Sequence, residues 1–320
     1  MPVAVPLVTI GLPVYNGARY LRAALDEVLA QTFGDWELIL SDNASTDDTE
    51  AIARDYAARD ARIRYVRNAT NVGALANANQ TIRLARGRYF ALAAYDDRHA
   101  PDFLARLVPL LEADPGVVLA YSRCERIDEE GNRFAYDEAR GGWVAPGGGI
   151  YDGDRDLERP LPADAVARYR AVLGSMSVDA AVHGLMRTDV LRDRIGGHGI
   201  YGSDRLVVAH AALLGRFVYV DEPLFEFRIH AASTLHLDHD ARVAREAPGV
   251  WARGVGFLTL AHYARAVAQT DLGLGGRLRA WAATAGYALG RARRNVARQG
   301  RHSYLPWLRP ALGLPFFSAL

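Results

Sequence analysis

Cysteine is almost missing. The 320-residue chain holds one, Cys124, which excludes an internal disulfide or a cysteine metal cluster and fits a reducing compartment, so the cytoplasm is the expected location. Lysine is absent altogether, and all 38 cationic side chains are arginines, a pattern of high-GC coding to which no mechanism attaches. An excess of either charge is missing too. The formal net charge of +1 gives no global attraction to nucleic acid, and no basic stretch is interleaved with aromatics in the manner of a nucleic-acid module. No uninterrupted apolar run approaches the ~20 residues needed to cross a bilayer. The opening "MPVAVPLVTIGLP" has no basic segment ahead of its apolar run, so neither a secretory leader nor a membrane span is expected. With 50% hydrophobic and 23% charged residues, and no repeat or low-complexity tract, the chain suits one large domain or a domain with an appendage.

What is present begins as a rhythm. Residues 5–12 are an apolar run ended by Pro13, and "ARYLRAALDEVLAQ" follows with Leu21, Leu25, Val28 and Leu29 on one helical face. "WELILS" and "IRYVRN" read as strands flanking a helix that opens in "DNASTDDTE", with Ser45 and Asp47 as its caps. Then come a helix in "GALANANQTIRLARG", a strand in "RYFALAA", a helix in "APDFLARLVPLLEAD" and a strand in "GVVLAYS". This alternation predicts an α/β fold, a mostly parallel sheet sandwiched by helices, with ligands beyond the carboxyl ends of its strands. "PVYN", "SDNAS" and "YDD" stand at three such ends. The pattern changes after about residue 123: "RIDEEGNRFA" reads as a hairpin and "ARGGWVAPGGGIYDGD" as a mobile glycine-rich loop. Strands are expected in "RFVYVDEP" and "LFEFRIH", and helices from about residue 240 onward.

A dinucleotide-binding turn would need glycines after the first strand so that backbone amides could approach a pyrophosphate. Gly11 and Gly17 lack that spacing, and the turn carries Tyr15 and Asn16 instead, a ring able to stack on a base and an amide. Asp42 directly follows an apolar strand, where it can accept a base N–H or a ribose hydroxyl. In "ALAAYDDRHAPDFL" two carboxylates, Asp96 and Asp97, stand side by side at a strand end. They suit a cation or a set of donors, or they simply end the strand before the helix at Pro101.

Together "VTIGLPVYNGARYLRAALDEVLAQTFGDWELILSDNASTDDT" and "NVGALANANQTIRLARGRYFALAAYDD", followed in order by "YGSDRLVVAHAALLG" and "FEFRIH", resemble the family-two glycosyltransferases over roughly residues 5–235. The resemblance implies a GT-A fold with a Rossmann-like nucleotide-binding half at 1–123, an acceptor-binding and catalytic half at 124–235, and a helical C-terminal extension at 236–320. It implies an inverting enzyme that moves a sugar from a UDP-, dTDP- or GDP-linked donor to a hydroxyl of a glycan, lipid-linked or small-molecule acceptor, in polysaccharide, glycolipid or natural-product glycosylation. Pro13, Tyr15, Asn16 and Asp42 would then hold the nucleotide, Asp96 the ribose and metal, and Asp97 the metal, which the family's chemistry makes Mg²⁺ or Mn²⁺. In "FEFRIH" the period of two puts Arg228 and His230 on one side of a strand. There Arg228 would meet the diphosphate and His230 would complete the metal shell. Asp204, at the start of an apolar-faced helix, matches the family's catalytic base, although on local sequence alone it reads as a helix cap.

Two departures from the family pattern matter. Its acidic motif is usually Asp-x-Asp, and here the first position is Ala94; its base sits in an acidic pair, and here the preceding residue is Ser203. The loss at Ala94 motivates a rival reading, a catalytically degenerate sugar-nucleotide binder or scaffold. A nucleotidyltransferase would need a glycine-rich loop with a basic residue near the first strand, which is missing. His99, His183, His198, His210 and His236 are read as structural. The arginine-rich C-terminal helix suits a solvated face, an oligomer contact, or peripheral contact with the inner membrane face.

Overall fold

The structure, a computed structural model, describes residues 5–152, 155, 157–175, 177–197, 203–231, 239–246, 248 and 255–299. The first part runs β1 (Val8–Val14), α1 (Ala18–Leu29), β2 (Trp36–Asp42), α2 (Thr49–Arg59), β3 (Ile63–Arg67), α3 (Ala74–Leu84) and β4 (Tyr89–Leu92). A two-residue β5 (Arg98–His99), α4 (Phe103–Ala113) and β6 (Val117–Ile127) complete the alternating region. Next come β7 (Ala135–Asp137), β8 (Gly142–Val144), β9 (Ile150–Asp152), α5 (Ala165–Gly174), a short α6 (Asp179–Val182) and β10 (Leu185–Arg187). A π-helical turn over Val190–Ile195 leads to α7 (Ser203–Leu214), β11 (Arg216–Arg228), α8 (His239–Glu246), α9 (Val255–Ala268) and α10 (Leu274–Gln299).

The main sheet has eight strands in the order β3-β2-β1-β4-β10-β6-β11-β5. β1, β2, β3 and β4 pair in parallel, as do β6 and β11, while β10 and β5 pair antiparallel to their neighbours. The sheet is therefore mixed with a parallel majority, as the alternation of strands and helices predicts. Val8, Ile10, Leu12 and Val14 of β1 point to the face covered by α1, α2 and α4, where Leu21, Leu25, Tyr56 and Leu107 are buried. The other face is covered by α3, α5, α7, α9 and α10, through Ile82, Tyr169, Val208, Tyr263 and Ala280. Both faces are apolar because both are covered, which is why these strands read as continuous apolar runs rather than alternating ones.

Gly11 shows how tightly the second layer is set. A Cβ there would fall 2.4 Å from Oγ1 of Thr81 and 2.5 Å from Cζ of Phe90, so glycine lets α3 lie directly against β1.

Two sequence expectations are corrected. The glycine-rich segment is not a loop: it supplies β8 and β9, which with the preceding β7 form a three-stranded antiparallel sheet, β7-β8-β9, that buries Trp143 with Phe134 and Ile229. The glycines fall largely in its turns, and the tryptophan supplies the core that a flexible loop would lack. The two strands expected around Pro223 are one strand, β11, with shifts in register on both sides of that proline. A proline cannot donate to a ladder, so it ends a regular pairing stretch at a bulge without ending the strand.

Candidate functional site

The carboxyl ends of β1, β2 and β4 are neighbours in the sheet, and the chain beyond each borders a cleft of about 710 Å³, a volume suited to a small organic ligand. Among the described residues its wall includes Pro13, Tyr15, Asn16, Asn43, Asn77, Tyr95, Asp96, Asp97, His183, Arg228 and Arg245. Six of the nine residues singled out from sequence therefore meet there, namely Pro13, Tyr15, Asn16, Asp96, Asp97 and Arg228; Asp42, Asp204 and His230 do not form part of that wall.

The turn after β1 is fastened to the loop after β2. The backbone N–H groups of Asn16, Gly17 and Ala18 donate to Ser45 Oγ at 2.9 Å, Thr49 Oγ1 at 2.9 Å and Asp47 Oδ2 at 3.0 Å. These bonds occupy the amides that open α1, so this helix end cannot hold a phosphate in the manner of a dinucleotide fold. Ser45 was expected to cap its own helix, and its hydroxyl instead serves α1; Asp47 does accept from Thr49 N–H at 3.0 Å. Asn16, with φ at 50°, turns its side-chain carbonyl to Thr46 N–H at 2.8 Å. Tyr15 is left with 38% of its surface exposed, an uncovered ring on the cleft wall.

Asp42 takes a different position from the one expected. Its carboxylate is fully buried and accepts from Ser45 N–H at 2.9 Å, from the Tyr65 hydroxyl at 2.8 Å and from the Arg67 guanidinium. Burial raises its pKa, but the bonds from Ser45, Tyr65 and Arg67 outweigh that and hold it below the usual carboxylate range. Asp42 thus shapes the loop from behind, while the next residue, Asn43, borders the cleft. Asn43 belongs to an amide network that sequence reasoning did not assign. Asn77 Nδ2 donates to Ser41 O at 2.8 Å, Asn68 Nδ2 donates to Asn77 Oδ1 at 3.0 Å, and Asn43 Nδ2 donates to Asn71 Oδ1 at 2.8 Å. The repeated asparagines of "NATNVGALANANQ" were the available signal.

Asp96 and Asp97 lie between β4 and β5, which joins the edge of β11. The end of β11 braces them. Asp97 Oδ1 accepts the Arg228 N–H at 2.8 Å, Arg228 Nε donates to the Asp96 carbonyl at 2.7 Å, and His230 Nε2 stands 2.9 Å from Asp96 Oδ2. Burial, and next the Asp96 charge, push the Asp97 carboxyl well above the usual range, against the opposing Arg228 amide. Arg228 Nη1 donates to Asp128 O at 2.8 Å and to Glu129 O at 2.9 Å. Arg228, expected to meet the diphosphate, is thus buried on the cleft wall with its Nε and Nη1 clamping three backbone carbonyls. His230 contacts Asp96 without itself forming part of the cleft wall, and its ring lies 5.5 Å from that of Tyr20. Arg245 of α8 is exposed on that wall, an alternative cation for an anionic ligand.

Two like-charged carboxyls at the wall of a polar cleft, one of them sealed and disfavoured as an anion, form an all-oxygen donor pair that fits Mg²⁺ or Mn²⁺. Among the described residues no three His, Cys, Asp or Glu side chains are gathered for a metal, so such an ion would take its other ligands from solvent or a bound phosphate.

Tyr95 packs against Gly17, where a Cβ would meet its Cδ2 at 2.7 Å, and burial, then the Asp96 charge, push its phenol up to about 12. His183 was read as structural, yet it borders the cleft. Its Nδ1 lies 3.1 Å from Leu92 O, and its ring stacks on Phe225 at 4.7 Å and 20°. A carbonyl only accepts, so Nδ1 carries the proton and Nε2 is the ring's acceptor. Burial lowers its pKa, opposed by the Leu92 bond and by the charges of Asp204, Asp179 and Asp96. Asp204, exposed in the first turn of α7, is thus within electrostatic range of a cleft residue. His210 is buried and His99 is half-buried with its ring against Phe103 and Phe225, whereas His198 and His236 lie outside the described residues.

A family model described as Glycosyl transferase family 2 matches residues 9–192. The chain is 34% identical over 128 residues to the chondroitin synthase of Escherichia coli, a stretch that is 40% of this chain and 18% of that protein. It is 32% identical over 129 residues to an uncharacterised glycosyltransferase of Methanocaldococcus jannaschii, covering 40% of this chain and 44% of the relative. The match thus spans less than half of each relative. Among solved structures, S. aureus TarS 1-349 in complex with UDP-GlcNAc superimposes with a TM-score of 0.66 at 15% identity, over 95% of this chain and 78% of that one. The mannosyltransferase PcManGT from Pyrobaculum calidifontis, in complex with GDP-Man and Mn2+, does so with a TM-score of 0.52 at 18% identity, over 98% and 81%. At such identities the likeness is one of fold.

Proposed function

The chain belongs to glycosyl transferase family 2 and has the GT-A fold, and we propose that it moves a sugar from a nucleoside diphosphate sugar to an acceptor hydroxyl with inversion at the anomeric carbon. The observation that carries this reading is the cleft itself. An exposed ring, Tyr15, and the braced carboxylates Asp96 and Asp97 meet beyond the ends of adjacent parallel strands, where such sheets bind ligands. Tyr15 with Pro13 offers a platform for the base, and Asn16 with Asn43 a polar edge, on a loop that Asp42 and Arg67 hold rigid. Asp96 accepts ribose hydroxyls, Asp96 and Asp97 hold Mg²⁺ or Mn²⁺, and Arg245 faces the diphosphate. A divalent cation there would offset charge on the departing diphosphate. Residues 1–123 would form the donor half and residues 124–235 the acceptor half. UDP-, dTDP- and GDP-linked donors all fit a base site built on stacking.

A single inverting displacement needs a base on the acceptor side to take the hydroxyl proton as the new bond forms. Asp204 is assigned that role. It is exposed, and the N-terminus of α7 favours its ionised form. Asp204→Asn should lower turnover by about 10²–10⁴ while donor affinity stays near wild type. An α-linked donor should give a β-linked product in the anomeric proton spectrum. Unchanged turnover removes Asp204 from the mechanism, and a retained anomeric configuration removes inversion.

A further inference from the structure

The formal charge of +1 hides a segregation. Eight of the 38 arginines and none of the 37 acidic residues fall after position 271, so residues 1–271 carry a formal charge of −7 and the last 49 residues +8. Most of the described part of that basic region is α10. One face of α10 packs on α5 and α9: Ala280 and Thr284 are buried, Thr284 Oγ1 lies 2.7 Å from the Tyr169 hydroxyl, and Tyr287 meets Tyr263 at 5.7 Å. The other face shows large apolar side chains to solvent. Leu274 is 77% exposed, Leu278 61%, Trp281 43% and Leu289 39%, and their spacings of four, three and eight residues put them in one stripe along the helix. Arg279 is also exposed beside this stripe.

We propose that this stripe of α10 is a membrane-docking face that lies on a bilayer containing anionic lipid, with the leucines and Trp281 among the acyl chains and the arginines at the headgroups. An apolar helical face bordered by arginine, with no acidic residue, has the composition of an interfacial helix. Each basic side chain close to an anionic surface strengthens adsorption by roughly fivefold. No described helix is long and apolar enough to cross a membrane, so the contact is peripheral. The acidic remainder of the chain is repelled by the same surface, which orients the molecule with α10 downward. A second copy of the chain is a poorer occupant. Pairing the stripe with itself would bring two arginine-rich segments together, and an isologous contact offers no carboxylates to receive them. Among the described residues the other exposed large apolar side chains are Val5, Tyr15, Val72 and Ile150, on separate elements, so no matching apolar patch receives the stripe head to tail.

The test is co-sedimentation of the full chain with vesicles of phosphatidylcholine alone and of phosphatidylcholine with phosphatidylglycerol at three to one. The expected result is at least tenfold stronger partition onto the anionic vesicles, falling on addition of 0.5 M NaCl. Leu278→Ser/Trp281→Ser should lower that partition more than tenfold. Both positions are exposed, so the thermal midpoint should match wild type; Arg279→Glu gives a second variant that leaves the apolar stripe intact and should also weaken partition. Equal binding to both vesicle types overturns the proposal, as does a Leu278→Ser/Trp281→Ser variant that binds like wild type. A wild-type oligomer in solution that the double variant dissolves, without lipid binding, also overturns it in favour of a second copy.

Discussion

His230 Nε2 stands 2.9 Å from Oδ2 of Asp96, across 134 positions of sequence. This contact and the Arg228 N–H on Asp97 tie the acidic turn after β4 to the end of β11. The pair of carboxylates therefore has a fixed position at the cleft instead of moving with its loop, and preorganisation of that kind is what a metal and diphosphate site requires.

Removing the imidazole should loosen one carboxylate without removing it. For His230→Ala, we expect Mn²⁺-dependent binding of the donor to weaken by about 10–100-fold, the usual cost of losing a partner that orients a ligand. Calorimetric titration with and without Mn²⁺ measures this. Donor affinity equal to wild type in both conditions would show that the contact orients nothing.

Arg228 should behave as a structural clamp. Its guanidinium serves the carbonyls of Asp96, Asp128 and Glu129, and those acceptors lose their donor in Arg228→Met. The expected loss of unfolding free energy is about 3 kcal/mol or more, read from urea denaturation. A variant of wild-type stability that only binds donor poorly would return Arg228 to the diphosphate.

Acid sensitivity should trace partly to His210. It is buried on α7, and its Nε2 has no partner among the described residues. Burial, with lesser contributions from Arg265, Arg194 and His262, pushes its pKa down to about 4, against about 6.5 in an unfolded chain. The unfolded state takes up the proton first, so the stability present above pH 6.5 is lost as pH falls toward 4. His210→Leu should reduce the loss between pH 7 and pH 4.5 by about 2–3 kcal/mol. Equal losses in the two proteins would remove His210 from the acid response.

Much of this was legible in advance. The strand and helix alternation up to β6 follows from period alone, and the three polar clusters at strand ends meet because β2, β1 and β4 are neighbours. What periodicity could not carry was partnership. Asp42 and Asn43 are consecutive polar residues after an apolar strand, and only the positions of Tyr65 and Arg67 decide which of them is sealed. Arg228 reads as a cation for a ligand until three carbonyls from two separate segments are seen around it. His183 looked like any buried histidine, because the backbone carbonyl that sets its tautomer leaves no mark in the sequence. Trp143 sits in a glycine-rich stretch whose composition resembles a loop, and its burial needs Phe134 and Ile229 from elsewhere in the chain.

On the proposed function, this cleft holds a nucleoside diphosphate sugar with the base on Tyr15 and the diphosphate end at Asp96 and Asp97. The most direct test is a mass-spectrometric screen of UDP-, dTDP- and GDP-sugars with Mn²⁺ and an acceptor pool, run on wild type, Tyr15→Ala and Asp97→Asn. We expect the wild type to consume at least one donor and release its nucleoside diphosphate. We also expect Tyr15→Ala to need about 5–100-fold more of that donor, the range for losing a stacked base, and Asp97→Asn to lose the Mn²⁺-dependent turnover. A donor consumed equally by all three proteins, or no donor consumed or bound by the wild type, would contradict the account.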